Sequence, residues 1–99
     1  MRCSVYVLCL NNGQLYIGSS VDVPKRIIEH QRGMTKSIAH KRPVKIIFQQ
    51  EFQNEALARR VEYKLKKLKS RKIIMDIVRN GEINTSRLLG SESNKILGG

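Results

Sequence analysis

Five side chains suggest chemistry by type and spacing: Tyr6 and Tyr16, ten positions apart; Arg26 and His30, four apart; and Glu62, the sole acidic residue between Glu55 and Asp76. Gathered around one groove, two phenols, a guanidinium, an imidazole and a carboxylate can seat a cation and a phosphate. Taken singly, each has a plainer reading. A strand tyrosine is usually half-buried packing, a helical arginine a solvated charge, and a lone histidine a cover for the core. Glu62 can simply pair with Lys66 at i+4, worth about 0.2–0.5 kcal/mol.

The elements that position these groups follow from local pattern. Residues 3–10 are short, apolar and β-branched, as in a strand buried on both faces. Asn11-Asn12-Gly13 supplies a hairpin turn, and Leu15–Gly18 is the returning strand. The two tyrosines therefore sit on paired strands, each committed to a face by alternation. Asp22 caps a helix over Val23–Arg32, with Pro24 in its first turn and Gly33 beyond its end. Arg26 and His30 share one face of it. A basic irregular loop spans 34–43, with His40 exposed, and Val44–Phe52 is a third strand centred on Ile46-Ile47-Phe48. Asn54 opens a second helix, Glu55–Lys69, whose stripe of Leu57, Val61, Leu65 and Leu68 faces the core. Glu62 lies on the flank of that stripe, where a carboxylate reaches a cleft edge. Ser70 caps a third helix with Ile73, Ile74, Ile77 and Val78 as its core face, stopped by Asn80-Gly81. The order β-β-α-β-α-α suits an α+β fold, a three-stranded antiparallel sheet flanked by helices. One domain over 1–84 is expected, with 85–99 a flexible polar C-terminal tail.

Charge is the strongest bulk signal. The 99 residues carry 19 Lys+Arg against 8 Asp+Glu, a formal net charge of +11. Such a field attracts polyanions, nucleic acid foremost and an anionic membrane surface second. Charge alone separates neither DNA from RNA nor an enzyme from a passive binder. The run Arg59-Arg60, Lys64, Lys66-Lys67, Lys69, Arg71-Lys72 is a charged helical face that favours phosphate contact, Arg59 and Lys66 included. With no Trp and two Phe, a base-stacking platform is disfavoured. Cys3 and Cys9 lie six apart in one strand, too far for a disulfide, and are expected as thiols in a reducing cytoplasm. No signal peptide or membrane span is expected.

The ordered set Tyr6, Tyr16-Ile17-Gly18, Arg26, His30 and Glu62 resembles the GIY-YIG nuclease superfamily. Val5–Leu8, Asn12-Gly13, Leu15–Gly18 and Lys25–His30 are most similar to its small stand-alone members of the YhbQ/URI type, close to the N-terminal nuclease module of UvrC; Pro43–Lys45 and Glu62–Lys66 extend the match. Together the likeness covers about residues 3–78. It implies a metal-dependent endonuclease hydrolysing DNA phosphodiester bonds in repair or processing. Mg²⁺ or Mn²⁺ would be held by Glu62, Arg26 would clamp the scissile phosphate, and Tyr6 would activate water with help from a nearby guanidinium, a metal-bound water or His30. Tyr16 would position water or phosphate, while Gly18, Lys25 and Lys36 would lie along the nucleic acid. The family's first glycine is Ser4 here, its loop tyrosine and threonine are replaced in Lys36-Ser37-Ile38, and Asn84 is the candidate for a C-terminal asparagine used by larger members. The expected partner is DNA, branched or single-stranded, read with weak sequence preference. Neither a membrane nor a small-molecule cofactor is expected, and the matching assembly is a monomer or weak dimer recruited by a protein partner. The alternative is a module that binds DNA or RNA with little or no turnover.

Overall fold

Gly13 adopts φ +85° at the tip of the first hairpin, where Leu10 and Gln14 close the turn by a 2.8 Å backbone bond. Glycine meets that left-handed conformation without a Cβ penalty. The turn joins β1 (Cys3–Cys9) to β2 (Leu15–Ser20) in a computed structural model that describes residues 1–36 and 39–89. Next come α1 (Val23–Gln31), a 3₁₀ turn (Ala39–Lys41), β3 (Lys45–Phe52), α2 (Glu55–Leu68), α3 (Arg71–Asn80) and α4 (Thr85–Leu88). The sheet is antiparallel in the order β2-β1-β3, the α+β arrangement expected from the sequence.

The central position of β1 explains its unbroken apolar run. Every residue from Cys3 to Leu8 is buried, and alternation sends them to two cores. Cys3, Val5 and Val7 join Phe48, Phe52, Ala58, Val61 and Leu65 beneath α2. Tyr6, Leu8 and Leu10 join Val23 and Val44 on the α1 side. A bulge between Val7 and Leu8 shifts the β3 register, so that Val7 faces Phe48 while Leu8 faces Ile46. Both cysteines are free, Cys3 buried and Cys9 half-buried.

Three expectations are corrected. Leu68 does not complete the α2 stripe: it is 43% exposed, because α2 ends there and Lys69 turns the chain away at φ +49°. Ile73 is likewise exposed, leaving Ile74 as the buried residue of α3. The chain beyond Asn84 does not fray at once. Asn84 caps α4, and Leu89 is buried in the α2-side core with Ile83, whose amide donates to Gln50 Oε1 at 2.7 Å. Apolar side chains spaced through a polar stretch anchor it. Residues 90–99 of the expected tail, with Ser37 and Ile38 of the loop, lie outside the described residues. Among those described, no helix is long and apolar enough to cross a membrane.

Candidate active site

Tyr6 and Gly18 are direct cross-strand partners, so both look toward α1. The phenol lies flat across the glycine: a Cβ at position 18 would fall 2.5 Å from Tyr6 Oη and 2.6 Å from Cζ. The backbone at Gly18 is thus shaped for close approach, and that approach lets a central-strand tyrosine reach the β2 edge.

α1 brings the next two groups. Asp22 accepts from Lys25 N at 3.1 Å and starts the helix, while Gly33, at φ +80°, ends it just beyond His30. His30 is fully buried, wedged edge-on between Tyr6 and Tyr16 with ring centroids 5.9 and 5.2 Å away. Its Nε2 is 2.9 Å from Tyr6 Oη, and its Nδ1 is 2.8 Å from Thr35 Oγ1. Both ring nitrogens are therefore partnered, as burial requires. Burial holds the imidazole pKa below its ordinary value, with Arg26 adding to the effect and Glu29 opposing it. At neutral pH His30 is then uncharged, with one nitrogen donating and the other accepting. Burial, with Tyr16 adding, also pushes the Tyr6 phenol up to about 12, against which Arg26 pulls downward. Arg26 itself is half-buried and pairs with Glu29 at 3.0 Å.

The carboxylate arrives from the opposite side of the sheet. α2, capped by Asn54 accepting from Leu57 N, puts Val61 and Leu65 in the core and leaves Glu62 beside them at the β2 edge. Ser19, one residue past Gly18 and so on the other face of β2, donates to Glu62 Oε1 at 2.5 Å. Lys66 Nζ lies 2.6 Å from Oε2. Tyr6, Tyr16, Gly18, Arg26 and Glu62 line one open cleft of about 430 Å³, together with Ser19, Arg59, Tyr63 and Lys66. Groups from the two faces of the sheet meet around its edge strand.

Not every residue singled out by sequence joins them. His30 does not line the cleft and reaches it through Tyr6 and Tyr16. Lys25 and Lys36 are exposed and line no part of it. Asn84 sits at the α3–α4 end, its Oδ1 occupied by Arg87 N. Three participants escaped sequence reading. Ser19 was legible by strand alternation had β2 been carried two residues further. Thr35 lies in an irregular loop with no periodic signal. Tyr63 stands 62% exposed at the rim, with Lys67 Nζ 5.8 Å from its ring centroid, and follows the motif glutamate directly.

The donor set discriminates among metals. No cluster of three His, Cys, Asp or Glu forms among the described residues, so no all-protein cage is at hand. One carboxylate beside a serine hydroxyl, open to solvent and to a phosphate, fits a hard cation that keeps its waters. Lys66 already places a positive charge against that carboxylate.

A UPF0213 protein of Staphylococcus saprophyticus is 35% identical over 63 residues, 63% of this chain and 77% of the relative. Another, from Klebsiella pneumoniae, is 34% identical over 68 residues, covering 68% of this chain and 64% of that one. The solution NMR structure of a UPF0213 protein from Bacillus halodurans superposes with a TM-score of 0.53 at 30% identity, over 82% of this chain and 87% of the other. The family model of the GIY-YIG catalytic domain matches residues 2–74, which include Tyr6, Tyr16, Arg26 and Glu62 of the cleft and the buried His30, and the chain belongs to that nuclease family.

Proposed function

We propose that this protein is a metal-dependent endonuclease that hydrolyses DNA phosphodiester bonds, in repair or processing. The observation that carries the reading is the convergence of Tyr6, Arg26 and Glu62, from β1, α1 and α2, on one solvent-open cleft.

Arg26 binds the scissile phosphate and offsets charge that accumulates as water attacks phosphorus. Tyr16 and Ser19 bound the space in which water and phosphate are oriented. Glu62 would hold Mg²⁺ or Mn²⁺, in place of its pairing with Lys66. When bound, the cation supplies charge that neutralises the phosphate and makes the attacking water more acidic. Tyr6 is too weak an acid at about 12 to stand ionised at neutral pH. Its part is a relay: the phenol oxygen takes the proton of the attacking water while its own proton passes to His30 Nε2, 2.9 Å away. His30 Nδ1–H donates to Thr35 meanwhile. The P–O3′ bond breaks, O3′ takes a proton from solvent in the open cleft, and the ends are 5′-phosphate and 3′-hydroxyl. Such a site offers little surface for base readout, which supports weak sequence preference among branched, nicked or single-stranded DNA.

A second reading has its own support. Both Glu62 oxygens are engaged, by Ser19 and Lys66, an arrangement that suits a module binding nucleic acid without turning it over. Incubation of supercoiled plasmid with the protein and Mg²⁺ or Mn²⁺ separates the two. Nicking is expected, reduced at least about 10²-fold by Arg26→Ala, in line with loss of one charge-stabilising donor, and abolished by Glu62→Ala. Nicking that persists in both variants defeats this site; binding without nicking favours the second reading.

A further inference from the structure

A second groove, of about 550 Å³, opens where the tip of the β1–β2 hairpin meets the α2–α3 junction. It shares Tyr16 and Lys66 with the catalytic cleft, so the two depressions are continuous along the β2 edge. Its floor is apolar, with Leu15 and Ile17 of β2 among the contributors. Around it stand Lys41, Lys66, Lys69 and Arg71, and among the described residues no carboxylate lines it. Lys41 donates to the side-chain oxygen of Gln14, and Arg71 to the backbone oxygen of Gly13, both at 2.6 Å. Those partners are neutral, and among the described residues neither Lys41 nor Arg71 makes an ion pair. The Lys69 side chain makes no ion pair among the described residues, and its backbone sits in the left-handed conformation at φ +49°.

Unneutralised cations over an apolar floor match a polynucleotide strand, with phosphates on the ammonium and guanidinium groups and sugar or base against the hydrocarbon. We propose that the β2-edge groove is a second phosphate-binding subsite, which holds the backbone of the strand as it leaves the cleft beside Tyr16. This rests on the nuclease reading and adds a direction to it: the substrate runs along β2 toward the hairpin tip. Of the long basic run through α2 and α3, the groove takes Lys66, Lys69 and Arg71 and joins to them Lys41 from a distant loop.

The test is binding of fluorescein-labelled oligothymidylate in EDTA, followed by anisotropy across a salt series, with strands of about 3 and about 12 nucleotides, short and long against known single-strand site sizes. Lys69→Gly removes a charge at a backbone position glycine prefers. Lys45→Gln removes one from β3, at the opposite edge of the sheet. For the longer strand, Lys69→Gly is expected to lower the log–log salt slope by about 0.7, and Lys41→Gln/Lys69→Gly by about 1.4, on the single-strand value per contact. The affinity advantage of the longer strand shrinks with them, while Lys45→Gln leaves slope and advantage as in the wild type. If Lys69→Gly and Lys45→Gln weaken binding alike, only global charge is at work and the groove is overturned while the nuclease reading stands. If the wild type binds neither strand, the groove is overturned, and the nuclease reading is decided by plasmid nicking with metal present.

Discussion

The two faces of the sheet are built on opposite principles. Among the described residues the α2 face buries eleven apolar side chains in one cluster, from Cys3 to Leu89, and contributes chemistry at its margin through Glu62 and Ser19. The α1 face buries five, and one of them is Tyr6, hydrogen-bonded to a histidine that is itself fully enclosed. One face is hydrocarbon that can be packed to density; the other spends its interior on a phenol, an imidazole and a hydroxyl in series. In a domain this small, stability should therefore reside on the α2 side and reactivity on the α1 side, with β1 serving both through alternate residues.

Paired substitutions test that division most strongly. Leu65→Ala, at a fully buried position, should destabilise by about 2–5 kcal/mol, while nicking per folded molecule, assayed well below Tm, stays near wild type. Tyr6→Phe should do the reverse. Nicking falls by roughly 10²–10⁴, the usual worth of proton transfer, and stability by about 1–3 kcal/mol, since His30 Nε2 loses its buried partner. Denaturant unfolding and plasmid nicking on the same samples decide it. A Leu65→Ala protein that is folded yet inactive would break the separation.

Gly18→Ala probes the seam between the faces and should cost less. The added methyl meets the phenol at 2.5 Å, and the phenol is tied to His30, so it cannot simply swing clear. A loss of about 1–3 kcal/mol is expected, typical of overpacking. As Tyr6 is pushed toward solvent its pKa should drop from about 12, read by ultraviolet titration of the phenolate. Wild-type stability with an unchanged titration would show that the close approach is unimportant.

Much of this division could be read in the chain. Turn chemistry at Asn12-Gly13, capping by Asp22, Asn54 and Ser70, and helical stops at Gly33 and Gly81 are local signals, and they set the helices to within a residue or so of their observed bounds. Alternation along β1 foretold two buried faces. What escaped was non-local or masked by weak propensity. Ser19 and Ser20 have little strand preference of their own, yet pairing with Val5 and Ser4 draws them into β2 and delivers a hydroxyl to Glu62. The Thr35–His30 contact joins a helix to an irregular loop, with no period to announce it. The short α4 is held by burial of Leu89 rather than by helical pattern. Lys25 and Lys36 carry charge near the motif, but charge says nothing about which side of a helix or loop faces the cleft.

The smallest effect lies in pH, and it distinguishes the faces because the α2-side cluster has no histidine to titrate. His30 is faced by Tyr6, Tyr16 and Thr35, with Arg26 and Glu29 on its own helix. Its folded pKa lies below the ordinary 6.5, so between those two values the unfolded chain holds the extra proton. Its contribution is complete above pH 6.5 and is lost as pH falls through the folded pKa. Tyr6 acts in the opposite sense: its pKa rises from 10.0 to about 12, so its contribution is present below pH 10.0 and fades as pH climbs toward 12. Wild-type Tm should thus decline on both sides of a neutral plateau. His30→Gln, whose amide can still bond Tyr6 and Thr35, should flatten the acid limb and leave the alkaline limb in place; Leu65→Ala should lower the whole curve without changing its shape. An acid limb equally steep in wild type and His30→Gln would mean that the buried imidazole carries no proton linkage, and the α1 face would lose its claim to be the titrating half of the molecule.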